Sequence, residues 1–539
     1  MFGAANGLLK EGARHYSGLE EAMFRNIEAC QQLSQMTRSA LGPHGMNKMV
    51  INHLDKLFVT SDAATIIKES DINHPAARMI AQATKMQENE CGDGTNFVIS
   101  LAGELMVQAQ SLLQMGLHPS EILIGYEKAS KKWHELFNDV VAYTLKDMKN
   151  HDELKMCIKA SVASKQFGLE DLLSELITEA CQHALFKSKK LNVDNIRVQK
   201  ILGGNIHDSE VVRGMVVIRQ SETTIHRVAN AKVAVYNTNI EMNQGETKGT
   251  VLFESASQLE CYSRSEEDQF ELFIKGLAEA GVNCVVCQGS MSEMAVHFFE
   301  KYKIMAIKIM SKFELKRIAR AVGATPIVKL GTPTPDELGF ADEVHFKEIS
   351  SQKCIVFRRD QDENRMATIV LRGSTTSLLE DVERAIDDGV NTIKCLCRDK
   401  RLVAGAGATD IHLAKKIQDY AKTQPGLDQY AIERFGQSLE VVPRVLSDNA
   451  GLKAEEIIAD LYSKTGDSFK FGIDVSDGKV KDVTEVGIYD CWETKSWAFK
   501  LCVDAVLTIL KVDQIIMSKP SGGPNMSQAA KRPEGYDDL

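Results

Sequence analysis

No stretch of about 18 consecutive apolar residues occurs in the 539-residue chain, so the sequence offers no membrane-spanning helix. The opening residues, MFGAANGLLKEGARHY, lack the apolar core of a secretory signal, and a cytoplasmic protein is expected. Basic residues interleaved with aromatics are also missing. With a net charge of −10 and a pI near 5.8, nucleic acid is not an expected partner. Nor is there a GxxxxGK followed by Ser or Thr, which excludes a Walker-type phosphate loop. The twelve cysteines form no disulfide framework, as suits buried reduced thiols. Cys284 and Cys287 make a CxxC, but within GVNCVVCQG, which reads as a buried strand. Residues three apart on a strand face opposite sides, so chelation is not expected. Cys395 and Cys397 are spaced to share a strand face, yet no second pair accompanies them.

What remains is a chain of 44% hydrophobic and 26% charged residues, an ordinary globular composition. Its length implies about three domains. The chain is organised around Cys91-Gly92-Asp93-Gly94-Thr95-Asn96. Behind it Phe97, Val98, Leu101, Ala102, Leu105, Met106 and Ala109 recur at helical spacing. Glycines on either side of an aspartate allow a tight turn and leave backbone amides open at a helix start, which favours an anion such as a phosphate. Asp93 suits that anion only with a divalent cation between them, and Thr95 adds a hydroxyl. A plain glycine turn capping a helix has the same spacing. Both readings stay open on spacing alone.

In chain order, Ser17-x-x-Glu20 has the form of a capping box. Apolar residues from Leu19 to Met36 follow at helical spacing and predict a helix over about 15–41. LGPHG then enforces a turn, MNKMVINHL and KLFVT predict a hairpin, and SDAAT places Asp62 in a turn before another helix. HPAARMIAQATKMQENE carries a helix into CGDGTN. Three turns at helix ends, two of them with an aspartate, suggest a helical bundle whose ends converge on one pocket. Helices continue through HPSEILIGYEKASKKWHELF and over about 151–190. At LNVDNIRVQKILGG the period becomes strand-like, and a β-rich section runs to about residue 237, followed by a long, partly polar helix. From Gly281 a βαβα pattern marks a separate α/β domain over about 207–370, with PIVKL as a further strand. TIVLRGS leads into SLLEDVERAIDDGVNTIKCL, a helix rich in carboxylates. LVAGAGAT repeats the glycine-then-helix design at Gly405 and Gly407. FGIDVSDGKVKDV predicts a hairpin, GIYDCWETKSWAFK a turn and helix, and KVDQIIMS a closing strand. The tail from about residue 521 reads as disordered.

The ordered set LGPHGMNKM, VTSDAAT, CGDGTN, LRGS, VERAIDDGV, AGAGAT and GIYD resembles the chaperonins. It is similar to the group II type, the eukaryotic cytosolic chaperonin (CCT, also TRiC), over residues about 8–520. The wording of VINHLDKLFVT, NVDNIRV, ETKGTVL, AIDDGVNT and KVDQIIM resembles a single subunit type of that particle. The resemblance implies a multi-domain α+β/α chaperonin fold. A mainly helical equatorial ATPase domain would be formed by 1–144 and 404–539, and a small intermediate domain by 145–206 and 371–403. An α/β apical domain, 207–370, would carry a helical protrusion at about 246–275 that serves as a lid. It implies ATP/ADP and Mg²⁺ as cofactors. Its implied partners are the other subunits of a hetero-oligomeric double ring, eight to a ring, and unfolded clients such as actin and tubulin.

Family roles carry over residue by residue. Asp93 matches the aspartate that holds Mg²⁺ against the phosphates, with Gly92, Gly94, Thr95 and Asn96 around it; Leu41, Gly42 and Pro43 match the other phosphate loop. Asp62 and Asp388 match the pair that orients the attacking water. Gly405 and Asp490 match positions at the adenosine, and Lys165, in ASKQFG, a lysine that senses the γ-phosphate. A carboxylate of pKa near 4 is a feeble base, but aligning a water is worth roughly 10²–10⁴-fold. In phosphoryl transfer, positioning and charge neutralisation do most of the catalysis.

Some positions depart from the family pattern: Ser61 and Ala63 flank Asp62, Asn96 ends GDGTN, Ala406 interrupts the glycine triplet, and Cys491 replaces the usual proline after Asp490. These motivate an alternative, a subunit that holds nucleotide with little hydrolysis. A free ATP-dependent enzyme, such as a small-molecule kinase, is a third class. On a helix Asp387 and Asp388 point about 100° apart, so only one serves a pocket. His44 reads as a solvated turn histidine, and Glu383 with Arg384 as a structural ion pair. Leu315, Ile318 and Val322, with Phe298 and Phe299, read mainly as core. The polar residues of the same helix (Lys312, Glu314, Lys316, Arg317, Arg320) are implied to contact clients.

Overall fold

The two ends of the described chain pair with one another. The computed structural model describes residues 14–18, 22–185, 191–241, 255–360, 366–466 and 468–517. Strand β1 (Arg14–Ser17) runs antiparallel to Gln514–Met517, with Arg14 opposite Met517. This corrects the helix expected from Ser17: partners at the far end of the chain override the local capping pattern. Helix α1 starts only at Phe24 and runs Phe24–Arg38. Hairpin β2 (Lys48–Ile51) and β3 (Leu57–Thr60) follows as expected, then α2 (Ala63–Glu69) and α3 (Pro75–Cys91), with proline in the first turn of α3. Gly92 ends α3 with φ 76°, and α4 (Thr95–Gln114) begins directly after Gly94. Helix α5 (Pro119–Asp139) and the short β4 (Tyr143–Thr144) complete this part.

Helices α6 (His151–Ala163) and α7 (Glu170–Leu185) are separated by a turn with Gly168 at φ 90°. The chain then builds β5 (Ile196–Leu202), β6 (Glu210–Val217), β7 (Arg227–Tyr236) and α8 (Ala256–Glu279). Next come β8 (Cys284–Gln288), α9 (Glu293–Lys301), β9 (Met305–Ile309) and α10 (Lys312–Val322). Strands β10 (Gly339–Ile349), β11 (Gln352–Arg358) and β12 (Ala367–Gly373) complete an eight-stranded sheet of order β5-β12-β6-β11-β10-β7-β8-β9. The α/β crossovers keep β7, β8 and β9 parallel, whereas β10 and β11 form a hairpin that no local pattern announced. PIVKL does not form the expected strand. Only Ile327 bridges to Tyr236, with Pro326 before it and Val328 exposed.

Helix α11 (Thr376–Arg398) leads back through β13 (Arg401–Ala404) into α12 (Ala408–Thr423), α13 (Asp428–Ser438), α14 (Val441–Asn449) and α15 (Ala454–Thr465). Hairpin β14 (Phe471–Asp474) and β15 (Lys479–Asp482), the turn α16 (Val483–Val486), β16 (Tyr489–Cys491), α17 (Trp492–Leu510) and β17 (Gln514–Met517) close the chain. Cys395 and Cys397 lie on α11 and not on a strand.

One core joins α1, α3, α4 and α5 to α12, α13, α14 and α17, so both chain ends share it. At its centre the Trp133 ring of α5 stacks on Phe499 of α17, centroids 3.6 Å apart. A second core packs α6, α7 and α11 on β5 and β12. The large sheet has a separate core on each face, with Cys284 in one and Cys287 in the other. That separation bears out the reading of this CxxC. The architecture is the expected mixture of helical layers and a central α/β sheet. Of the expected protrusion, residues 246–254 lie outside the described residues and α8 is described from Ala256; the tail from about 521 also lies outside them. No helix among the described residues is long and apolar enough to cross a membrane.

Candidate active site

A cleft enclosing ≈ 190 Å³ lies where the N-termini of α4 and α12 meet α6, β16 and α17. That is several times the roughly 30 Å³ share of a water molecule, so the space suits a small ligand. Both helices start from a glycine in the left-handed region, Gly94 at φ 80° and Gly407 at φ 77°. Neither start is capped by a side chain. First-turn amides of α4, and those of α12 after Ala408, whose amide donates to the Gly405 carbonyl at 3.1 Å, border the cleft with the positive ends of two helix dipoles. Such a pair of termini is a built-in anion cradle. Gly42 has φ 85°, the left-handed region that disfavours a side chain, and a Cβ there would come 2.4 Å from Leu446 Cδ2 of α14, which would have to move.

Of the residues expected here, Leu41, Gly42, Asp93, Gly94, Thr95, Asn96, Lys165 and Asp490 line the cleft. Asp62 and Asp388 stand just behind it, with Lys165 in front of both. The Lys165 ammonium lies 2.8 Å from Asp62 Oδ1 and 3.3 Å from Asp388 Oδ2. Gly405 sits one residue behind the lining, where a Cβ would come 3.2 Å from Asp490 Oδ1; Pro43, half-buried, flanks it. Asp387 is exposed on the next face of α11, whereas Asp388 is buried.

Local structure explains each position. Asp62 is the N-cap of α2: its Oδ2 accepts hydrogen bonds from the Thr65 amide at 2.9 Å and the Thr65 hydroxyl at 2.7 Å. Burial alone raises a carboxyl pKa, but Lys165 and Thr65 outweigh it and hold Asp62 well below the usual range. At Asp388 burial prevails and Asp93 and Asp62 add repulsion, so it is raised despite Lys165. Burial disfavours the Lys165 ammonium, yet the charges of Asp62, Asp388 and Asp93 raise its pKa. The two carboxylates around one lysine are thus driven apart in proton affinity, Asp62 downward and Asp388 upward.

Asp93 is held by its surroundings. Its Oδ1 accepts from the Gly94 amide and its Oδ2 from the Ser161 hydroxyl, both at 2.6 Å. Its carbonyl accepts from Gln87 Nε2 at 2.8 Å. No group of three or more His, Cys, Asp or Glu able to hold a metal occurs among the described residues. One carboxylate beside an anion cradle is the donor set Mg²⁺ uses when phosphates supply further ligands. The Ser61 hydroxyl is buried at the cleft with no hydrogen-bond partner among the described residues, as expected of a site built for a polar ligand. The residues therefore fit a magnesium-bound phosphate compound, for which Asp93 would be the carboxylate facing the metal.

Other parts of the site escaped sequence reasoning. Lys495 of α17 is buried between Asp410 Oδ2 at 2.8 Å and Asp490 Oδ2 at 3.4 Å, fixing Asp490 at the cleft wall. The Thr392 hydroxyl donates to the Asp388 carbonyl at 2.9 Å and lies 3.3 Å from Ser161 Oγ. Asn96 donates to the Thr37 carbonyl at 3.1 Å and accepts from Ser100 at 3.2 Å, joining α4 to α1. Ala406 has φ 52°, the left-handed region that disfavours a side chain, and its carbonyl accepts from the Ile473 amide at 3.1 Å. Glu383 and Arg384 do not pair with each other as expected. Glu383 reaches Lys200 at 2.7 Å and Arg384 lies 3.8 Å from Asp381, because successive helix residues point apart. His44 is exposed and packs on the Phe167 ring, 5.1 Å between centroids.

The TCP-1/cpn60 chaperonin family matches residues 33–520 of the chain. The chain is 50% identical over 535 residues to T-complex protein 1 subunit theta of Arabidopsis thaliana, covering 98% of this chain and 97% of that one. It is 47% identical over 519 residues to the protein of the same name from Dictyostelium discoideum, 96% and 97% of the two chains. With that of Homo sapiens the identity is 48% over 527 residues, 97% and 96% of the two.

Proposed function

The chain belongs to the TCP-1/cpn60 chaperonin family, and from that premise we propose that it is the theta-type, ATP-hydrolysing subunit of a hetero-oligomeric double-ring chaperone in the cytosol. Chaperone function in a ring complex and ATPase chemistry come with the family. The finer reading divides the chain as the resemblance implied. Residues 1–144 with 404–539 are equatorial, 145–206 with 371–403 intermediate, and 207–370 apical.

The observation that carries this reading is Lys165 lying on both Asp62 and Asp388 at the back of a cleft shared by two uncapped helix N-termini and Asp93. The nucleotide phosphates are received by the amides that begin α4 and α12, and Asp93 holds the magnesium. That ion, when bound, neutralises phosphate charge. Asp62, fixed by Thr65, orients the attacking water, and Asp388 takes up its proton. Lys165 is the cation able to exchange these carboxylates for a γ-phosphate, which links nucleotide state to contacts between chain segments. Asp490, set by Lys495, faces the ribose.

Partners follow from exposed surface. The β2–β3 hairpin displays Met49 at 69%, Ile51 at 64% and Leu54 at 73% exposure, an apolar row suited to a neighbouring subunit. On α10 and beside it Phe313 and Met310 are exposed among Lys312, Lys316, Arg317 and Arg320, a mixed surface for unfolded clients, actin and tubulin by family resemblance. ATP-driven closure of the protrusion over the clients completes the reading.

A second reading, a subunit that retains nucleotide but turns it over slowly, is favoured by the Ala406 methyl at φ 52° beside the cradle. Labelled-nucleotide turnover in particles where only this subunit keeps its aspartates separates the two. Phosphate release supports hydrolysis, and retained triphosphate supports the second reading.

A further inference from the structure

A carboxylate of α11 outside the cleft is bonded to the two chain segments that carry Asp62 and Lys165. Asp381, 7% exposed, accepts a hydrogen bond from the Thr60 hydroxyl on Oδ1 at 3.2 Å and from Gln166 Nε2 on Oδ2 at 2.5 Å. The Thr60 oxygen in turn accepts the Asp62 amide proton at 3.0 Å. A hydroxyl has one proton, and Thr60 gives it to Asp381, so a lone pair is left for Asp62. The acceptor-only carboxylate therefore sets the direction of the whole chain of bonds. Its other oxygen holds Gln166, the neighbour of Lys165. Asp381 and Asp388 are seven residues apart, about two helical turns, and thus share a face of α11. The upper carboxylate meets the Lys165 side chain, and the lower one fastens the backbone segments that carry Asp62 and Lys165.

We propose that Asp381, acting through Thr60 and Gln166, is a positioning residue for ATP hydrolysis that fixes Asp62 and Lys165 relative to Asp388. The proposal rests on the ATPase reading above, and its structural part is separable from that reading. Arg384, 3.8 Å away, adds a cation beside the carboxylate without occupying either bond.

The test uses the assembled particle with Thr60→Val, which keeps the shape of Thr60 but removes the relay, and Thr60→Ser, which keeps the hydroxyl. Asp381→Leu is a second route to the same loss, with Glu383→Gln as a control on the same helix. In Thr60→Val, kcat for this subunit falls by about tenfold, less than the roughly 10²–10⁴-fold of a lost acid–base group, because Asp62 itself remains. KM for ATP changes by less than about twofold, and Thr60→Ser recovers most of the rate. Hydrogen exchange at the Asp62 amide, which loses its acceptor, quickens by about tenfold. Wild-type kcat and wild-type exchange in Thr60→Val overturn the proposal. So does an equal loss in Thr60→Ser, which marks packing and not the hydroxyl. If the wild-type subunit itself shows no turnover, the ATPase reading fails, and exchange at Asp62 and Gln166 in Asp381→Leu still decides whether the tie exists.

Discussion

Asp62 and Asp388 share one ammonium. Lys165 Nζ stands 2.8 Å from the first and 3.3 Å from the second, although the first caps a helix near the start of the chain and the second lies well past its middle. A buried lysine held between two buried carboxylates stabilises the site only while it stays charged and close to both. This makes the site responsive to anything that competes for the lysine.

Lys165→Met tests that balance. Removing one partner of a buried ion pair typically costs about 3–5 kcal/mol, and here two carboxylates lose their cation. Asp62, depressed in the fold, contributes stability above the ordinary carboxylate pKa and loses it as pH falls through its lower folded value. Asp388, raised in the fold, contributes below the ordinary value and loses it as pH rises through its folded value. Without the lysine Asp62 joins Asp388 in being raised. Thermal denaturation of Lys165→Met then shows stability falling with rising pH above about 4, and an unchanged Tm at neutral pH contradicts the arrangement.

Lys495 and Asp410 form the second buried pair, 2.8 Å apart and 7% and 1% exposed. Lys495→Met leaves Asp410 uncompensated, at a cost of about 3–5 kcal/mol, whereas Lys495→Met with Asp410→Leu recovers most of it. Burial opposes the Lys495 charge, but Asp410 and Asp490 raise its pKa. Its contribution is therefore complete below about 10.4 and is lost only as pH rises through the higher folded value. Chemical denaturation of the single and double variants checks the coupling; additive losses refute it.

Ala406→Gly removes a side chain from a left-handed residue. The relief is about 1–2 kcal/mol, offset by about 0.4–1 kcal/mol of added unfolded-state entropy. A small rise in Tm is expected, with nucleotide retained at least as well. A fall in Tm shows that the Ile473 bond to Ala406 does not depend on this conformation.

Met49→Lys or Leu54→Lys changes only exposed hairpin surface, so the fold shifts by no more than about 0.5 kcal/mol. Incorporation into the assembled particle, measured by native mass, drops. Undiminished incorporation places the subunit contact elsewhere.

Local order carried far in this chain. Glycines followed by helical periodicity located the starts of α4 and α12, and SDAAT placed Asp62 in the turn before α2. The GVNCVVCQG strand had its two thiols on opposite faces as its two-residue period demands. The subunit type suggested by the wording of several segments matches the theta-named relatives. What could not be read depends on partners distant in sequence. Ser17 sits in a strand because Gln514 faces it, and β10 with β11 needs a sheet already present. Asp381 and Lys495 look like surface charges on amphipathic helices until Thr60, Gln166 and Asp410 arrive beside them. Spacing along one element says which face a residue occupies, but not what that face meets.

The most direct measurement is a single turnover of labelled ATP by this subunit within the assembled particle, comparing the native chain with Asp388→Ala. The account predicts that the variant still captures nucleotide through the amide cradle and Asp93 but releases no phosphate on the native timescale. Phosphate release at the native rate, or failure of the native chain to capture nucleotide at all, would contradict it.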